Sequence, residues 1–413
     1  MAGPFGLLMR AFGTPARRSP AGASVAASPE PSAPALPFEA MLAGSPNPIL
    51  LIAGAPGGGL GGARVLYANP AAAGLFRFPG EGALLASVIR QPEALEVVDQ
   101  CLATHEPATS AFDFGGPPLR SWRAWARPLD SSPERRLVML LLTDETDARR
   151  TERMRADFLA NASHELRTPL ASLVGFIETL QGPARDDPAA QQRFLGIMAG
   201  QAGRMARLVE DLLSLSRIEM SEHVPPTELC DLGSVAADVV AALGPVSQER
   251  QVRIALGLPP AGSLPIVGDR DQLVQVALNL IDNAVKYSAA GGQVDVSGGV
   301  AASFGAALAP PEGGRLADGG RMSLIPPDGA YTGPCAMLRI EDRGPGIARE
   351  HLARLSERFY RVEGQKSGER AGTGLGLAIV KHIVNRHRGA LVVESAPGRG
   401  TAFTVAFPLA AAG

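Results

Sequence analysis

Between Leu159 and Leu180 the sequence carries two interleaved sets of residues spaced seven apart: Leu159, Leu166, Leu173 and Leu180, with Ser163, Leu170 and Ile177 between them. Alternating steps of four and three make a heptad seam, so the stretch is expected to be a helix shaped to lie against other helices. The seam also says what stays outside. His164 falls one residue off it, and Asn161 and Thr168 lie three back and four on, so the three share an outer face. A neutral imidazole nitrogen is a competent nucleophile near neutral pH, and the adjacent Glu165 can take or orient the proton on the other ring nitrogen. Pro169 removes a helical hydrogen bond one turn further on and predicts a local bend.

Gly182-Pro183 and Asp187-Pro188 then mark a hairpin. The second helix has its own seam of Phe194, Met198, Gln201, Met205, Leu208, Leu212 and Leu215, in which only Gln201 is polar. Two helices cannot bury both seams alone. Two copies can, as a dimeric antiparallel four-helix bundle, so a homodimer is expected. Upstream, Thr146 to Arg155 is charged and free of breakers, and a continuous helix over 147–181 would be about 50 Å long.

Pro225-Pro226 opens a last domain, residues 223–413. Its apolar positions alternate at Val252, Ile254 and Leu256; Val294 and Val296; Leu338 and Ile340; Leu391 and Val393; and Phe403, Val405 and Phe407. Helical patterns lie at about 232–250, 269–287 and 375–388. The expectation is an α/β sandwich, a mixed sheet covered by helices on one face. No P-loop sequence occurs. Instead Asn279, Asn283 and Lys286, within Asn279-Leu-Ile-Asp-Asn-Ala-Val-Lys-Tyr287, share one helix face. Amide oxygens are hard ligands suited to Mg²⁺, and a lysine beside them can meet phosphate. In Glu341-Asp-Arg-Gly-Pro-Gly-Ile347, a buried Asp342 can accept from an adenine amino group, while Gly344 and Gly346 let backbone approach the base. Glu357-Arg-Phe-Tyr-Arg361 opens a polar loop that ends in Gly372-Thr-Gly-Leu-Gly-Leu377, where helix N-terminal amides can hold phosphates. Gly398-Arg-Gly-Thr401 precedes the last strand.

His164-Glu-Leu-Arg-Thr-Pro169 resembles the H-box of the sensor histidine kinases, and the downstream stretches resemble the N, G1, F, G2 and G3 boxes of the Bergerat-fold ATPases in their histidine-kinase version. The resemblance runs from about Met154 to Phe407. It implies that His164 is the phosphoacceptor, with Glu165 as its proton partner, and that Thr168 serves dephosphorylation of a regulator. It implies Asn283 as the main Mg²⁺ ligand with Asn279 beside it, Lys286 and Tyr287 on the phosphates of ATP, Asp342 with Gly344, Gly346 and Ile347 on adenine, and Arg361 at the γ-phosphate. Gly372, Thr373, Gly374, Leu375, Gly376 and Leu377 close the site, with Thr401 behind, and the loop from about 362 to 373 is the lid. The implied function is ATP-dependent autophosphorylation followed by transfer to an aspartate of a response regulator. The Phe158–Leu170 context most resembles the phosphate-regulon sensor kinases. One departure from the family is a Gly/Pro/Ala-rich insert at 298–334, expected to be an exposed loop outside the catalytic machinery.

Residues 1–35 are rich in Pro, Ala, Ser and Gly and are expected to be disordered. Residues 36–145 read as antiparallel α+β: strands at Ile49–Ile52, Arg64–Tyr67, Thr109–Phe114, Ser121–Arg127 and Arg136–Leu142, a helix at Phe38–Leu42, and another opened by Asn69-Pro70. Tyr67-Ala-Asn-Pro-Ala and Asp144-Glu-Thr146 make this stretch resemble a PAS sensor domain. No flavin-type cysteine motif is present, and the PAS ligand, if there is one, is unknown. The phosphotransfer hairpin then spans 146–222.

A hydrophobic fraction of 46% supports real cores, and a net charge of −2 without a basic stripe argues against nucleic acid as a partner. Cys101, Cys230 and Cys335 are scattered and odd in number, which fits cytosolic thiols. The apolar run Leu137–Leu142 is far short of the ~20 residues a membrane helix needs, and no secretory signal is visible. A cytoplasmic chain without a membrane span is expected, with loose membrane association left open. Two rivals remain. A Bergerat ATPase that does not phosphorylate histidine would not need the H-box hairpin, and a non-catalytic dimeric scaffold would not need intact Asn283, Asp342 and lid glycines.

Overall fold

The computed structural model describes residues 38–54, 60–116, 119–129, 136–221, 224–311, 313–362 and 372–410. The expectation of disorder for 1–35 and most of the expected lid, 363–371, lie outside the described residues. The chain forms two compact units, Met1–Asp157 and Phe158–Gly413.

In the first unit, α1 (Phe38–Ala43), β1 (Ile49–Ala53), β2 (Arg64–Ala68), α2 (Pro70–Phe76), α3 (Leu85–Val88), α4 (Pro92–Thr104), β3 (Ala108–Phe114), β4 (Arg120–Pro128) and β5 (Leu137–Asp144) build a five-stranded sheet in the order β2-β1-β5-β4-β3. Every pairing is antiparallel. Asn69 caps α2, accepting from the Ala72 amide at 3.0 Å, with Pro70 at the first turn as the sequence predicts. The same buried side chain ties down the chain before β1, accepting from Ile49 N and donating to the Asn47 carbonyl, both at 2.9 Å. Helix α4, which sequence reading left unassigned, presents Ala94, Val97, Val98, Cys101 and Leu102 to the core.

Helix α5 (Thr146–Gln181) runs without a break through Pro169, and α6 (Pro188–Ser221) returns along it. None of the seven seam residues of α6 is exposed. The seam of α5 divides: Leu166, Leu173 and Leu180 are half-buried, whereas Leu159, Leu170 and Ile177 are 66%, 52% and 42% exposed. A hairpin can cover only one side of a heptad seam, and the remainder of this one lies bare. At the far end of α6, Leu208, Leu215 and Ile218 join the core of the last domain, so hairpin and last domain form a single unit.

The rest of that unit comprises β6 (Leu229–Asp231), α7 (Leu232–Ala242), α8 (Gly244–Glu249), β7 (Arg253–Gly257), β8 (Pro265–Val267), α9 (Arg270–Tyr287), β9 (Gln293–Ala301), α10 (Phe304–Leu308), β10 (Gly320–Ile325), β11 (Cys335–Asp342), α11 (Arg349–Leu352), α12 (Gly376–Arg386), β12 (Ala390–Ala396) and β13 (Gly400–Pro408). The six-stranded sheet has the order β10-β12-β13-β11-β9-β7, with β7 and β9 parallel and the other pairs antiparallel. Leu338, Ile340, Leu391, Val393 and Val405 point to the helical side with Leu280, Ile281, Ile379 and Ile383.

The insert differs from expectation. Strand β9 continues through 301, α10 follows, and β10 adds an edge strand beside β12. Phe304, Ala307 and Leu308 are buried with Cys335, Ala390, Val392 and Ala406, which alternate with the core-facing residues of the same strands and therefore lie on the opposite face. The sheet is covered on both faces here. A Gly/Pro/Ala-rich stretch of low periodicity reads as a loop, but its few large apolar residues have a sheet face to cover.

Candidate functional site: a cavity at the end of the sheet

Asp269 caps α9, accepting from Gln272 N at 3.2 Å, and its backbone amide donates to His387 Nε2 at 3.0 Å. The opposite nitrogen, Nδ1, donates to the Ile383 carbonyl at 2.8 Å, so the ring is held neutral; burial also lowers its pKa. This anchors the helix start and aims Asn279, Asp282, Asn283, Lys286 and Tyr287 into one cavity of about 1460 Å³. Its other walls come from Asp342, Gly346 and Ile347; Tyr360, Arg361 and Val362; Gly372, Thr373, Gly374, Gly376 and Leu377; Thr401; and a length of α6 that includes Arg207, Asp211 and Ser214. Stretches up to 199 residues apart, from Arg204 to Phe403, thus meet at one site.

The polar groups are poised, not saturated. Asn279 Nδ2 and Arg361 Nη2 are buried with no hydrogen-bond partner among the described residues. Buried polar atoms are rarely left so, which marks places where a polar ligand fits. Burial lowers the pKa of Lys286, opposed by Asp282 and reinforced by the Arg361 and Arg250 charges. Burial likewise raises the Tyr287 phenol. Asp342 is pushed up to about 6 by burial, although its Oδ1 accepts from Gly344 N at 2.8 Å and Thr401 N at 3.2 Å and Arg315 lies near.

The glycines shape the walls. Gly346 has φ 69°, and a Cβ on it would lie 2.0 Å from the Ala396 carbonyl oxygen. A Cβ on Gly372 would lie 2.6 Å from Lys286 Nζ. Ile347 N donates to Ser395 Oγ at 2.8 Å, and that oxygen stands 2.9 Å from Thr401 Oγ1, so the turn after Asp342 is locked to the last two strands. Thr373 Oγ1 donates to Asp211 Oδ2 of α6 at 2.6 Å.

Two of the expected binding residues stand behind the cavity wall. Leu375 does not line the cavity; it precedes α12 and is fully buried in the core, because the helix start needs an apolar anchor there. Gly344 packs against Asp342 Oδ1 and the Tyr287 carbonyl, supporting the wall from behind. Sequence reading missed Asp282, Asp211 and the α6 wall; Asp282 sits visibly between the two asparagines, whereas nothing local marks Asp211.

His164 and Thr168 are exposed on α5 and do not line the cavity. The Thr168 hydroxyl donates to the His164 carbonyl at 3.3 Å. Glu165 is turned toward α6, 3.5 Å from Arg204.

Residues 154–221 match the His Kinase A (phospho-acceptor) domain, and residues 268–411 match the histidine kinase-, DNA gyrase B- and HSP90-like ATPase family. The sensor-like histidine kinase SenX3 of Mycolicibacterium smegmatis is 32% identical over 67% of this chain and 63% of its own length. The phosphate regulon sensor protein PhoR of Pseudomonas aeruginosa is 36% identical over 65% of this chain and 53% of its own. This chain is a homologue of the sensor histidine kinases. The kinase homologue thus spans between about half and two thirds of these curated relatives. Among solved structures, the Acinetobacter baumannii histidine kinase AdeS matches 60% of the homologue and 98% of its own chain at 27% identity and a TM-score of 0.42. No described helix of the homologue is long and apolar enough to cross a membrane.

Proposed function

We propose that this chain is an ATP-dependent protein histidine autokinase of a two-component system, which phosphorylates His164 and passes the phosphoryl group to an aspartate of a response regulator. The observation that carries the reading is the meeting of the five separated sequence boxes around one cavity, in the same compact unit as a helix that presents an exposed histidine. The cavity suits ATP: Asp342 would accept from the adenine amino group, Lys286, Arg361 and the amides at the start of α12 would meet the phosphates, and Asn283 with Asn279 would hold Mg²⁺. Bound Mg²⁺ would neutralise phosphate charge.

In the transfer, a ring nitrogen of His164 bonds to the γ-phosphorus, the bond to the β,γ-bridging oxygen breaks, and ADP leaves with that electron pair. The proton on the other ring nitrogen is then shed. Glu165 assists once freed from Arg204. Because His164 does not line the cavity, the ATPase domain has to be carried to a histidine first. That motion breaks Thr373–Asp211 and the Arg358–Glu219 ion pair.

The bare stripe of Leu159, Leu170 and Ile177 supports a homodimeric four-helix bundle. Residues 36–145 we assign as a PAS domain, supported by the five-stranded antiparallel sheet, with no ligand assigned. The domain limits follow as 36–145, 146–222 and 223–413. Similarity to PhoR favours phosphate supply as the stimulus. Use of ATP and the three free cysteines favours the cytoplasm. Incubation with γ-labelled ATP and Mg²⁺ tests the proposal. The expected product is acid-labile and base-stable, absent from His164→Gln while ATP binding survives; base-stable label persisting in that variant refutes His164.

A further inference from the structure

The segment between β9 and β11 is fastened to the back of the cavity wall. Strand β10 pairs with β12, so that Gly320 lies opposite Ser395 and Arg321 opposite Glu394. Leu316 is buried against Ala396 and Ala402. Arg315 Nη2 donates to Glu341 Oε1 at 2.9 Å and to the backbone carbonyl of Asp342 at 2.7 Å. Glu341 Oε2 in turn accepts from Arg339 Nη2 at 3.1 Å, and Arg339 Nη1 donates to Glu394 Oε2 at 2.5 Å and Thr404 Oγ1 at 3.2 Å. Arg321 Nε completes the series 3.5 Å from Glu394 Oε1.

Arg315, Glu341, Arg339, Glu394 and Arg321 thus form a ladder of alternating charge across β11, β13 and β12, on the face away from α9 and α12. Both end members come from the insert and the middle three from the core strands. Arg339 and Glu394 are buried. A buried ladder holds its geometry only while each charge keeps its partners, so the insert is built into the sheet it covers. Its Arg315 end grips the peptide of the residue whose carboxyl faces the cavity. The side chain of Asp342 is held in front by Gly344 N and Thr401 N, and its carbonyl from behind by Arg315.

We propose that the insert is the rear wall of the adenine pocket, and that Arg315 is a positioning residue which fixes Asp342 for recognition of the base. The inference rests on the ATP-binding reading above. Its signature is a loss confined to the base. ATP engages both Asp342 and the phosphate groups, whereas inorganic tripolyphosphate engages only the latter.

The test measures affinity for Mg-ATP and for Mg-tripolyphosphate by calorimetry on the full chain, in wild type, Arg315→Ala, Arg315→Lys and Asp342→Asn. Arg315→Ala is expected to weaken ATP by about fivefold to thirtyfold, the loss of one charge-assisted hydrogen bond, and to leave tripolyphosphate within about twofold. Arg315→Lys, which keeps a charged donor, is expected to recover part of the ATP affinity. If Asp342→Asn loses ATP and Arg315→Ala does not, the inference fails while the ATP reading stands. Equal losses of ATP and tripolyphosphate in Arg315→Ala would also overturn it, by showing a general disturbance of the domain. A wild-type chain that binds tripolyphosphate but not ATP would overturn the ATP reading itself.

Discussion

Replacing Asp342 with asparagine should make the ATPase domain more stable while it loses its nucleotide. Asp342 is buried at the end of β11, and its native pKa stands at about 6, against ~3.9 for an aspartate in an unfolded chain. Between those values the native state keeps a proton that the unfolded chain has released. Stability therefore falls as pH rises through this window, and the deficit is complete above about 6 and absent below about 4. At ~1.4 kcal/mol per pH unit the gap corresponds to ~3 kcal/mol. Asparagine carries no charge to desolvate, and its amide oxygen can take over the two bonds that end on Oδ1, from Gly344 N and Thr401 N. Allowing for relaxation around the new NH₂ group, Asp342→Asn should gain roughly 1–3 kcal/mol at pH 8. At an m-value of about 2 kcal/mol/M that is a rise of about 0.5–1.5 M in urea midpoint. The gain should shrink toward zero as pH approaches 4. Both tryptophans, Trp122 and Trp125, and one tyrosine, Tyr67, lie in the first unit, whereas the other three tyrosines, Tyr287, Tyr331 and Tyr360, lie in the second, so near-ultraviolet ellipticity of tyrosine follows chiefly the relevant transition. A variant no more stable than wild type at pH 8, or a difference that stays flat down to pH 5, would refute the reasoning.

Thr168→Ala should lower dephosphorylation of the regulator by roughly tenfold or more, the cost of one water-positioning contact, with autophosphorylation within a few-fold; equal loss of both rates would point to bundle stability instead. Leu215→Ala, at a fully buried position where α6 enters the ATPase core, should cost ~2–5 kcal/mol in chemical denaturation, and a cost under 1 kcal/mol would place that contact outside the stable core. Replacing residues 302–334 with a short turn should give a poorly soluble or unfolded ATPase domain, because it bares Cys335, Ala390, Val392 and Ala406 and removes Arg315 and Arg321 from Glu341 and Glu394. A soluble variant with wild-type thermal stability would return the insert to the status of a loop.

The local devices of this chain were legible because each is a short-range consequence of backbone geometry. The heptad steps gave both long helices, Asn69-Pro70 gave the start of α2, and the 4,3 spacing of Asn279, Asn283 and Lys286 placed them on one wall. The box motifs carried the nucleotide site as far as its types of residue. Three things were decided only by the tertiary structure. The division of the α5 seam into a covered and a bare side depends on which way the hairpin closes, a choice that heptad periodicity leaves open. The joining of Asp211 to Thr373 links residues 162 apart, and no local pattern specifies such a partner. The insert shows the limit most clearly. Its composition has little periodicity, yet the sheet offered it an apolar face and two carboxylates, the half-buried Glu341 and the buried Glu394. Phe304, Leu308, Arg315 and Arg321 became structural because burial and charge pairing are settled by what lies across the sheet and not by neighbours in sequence.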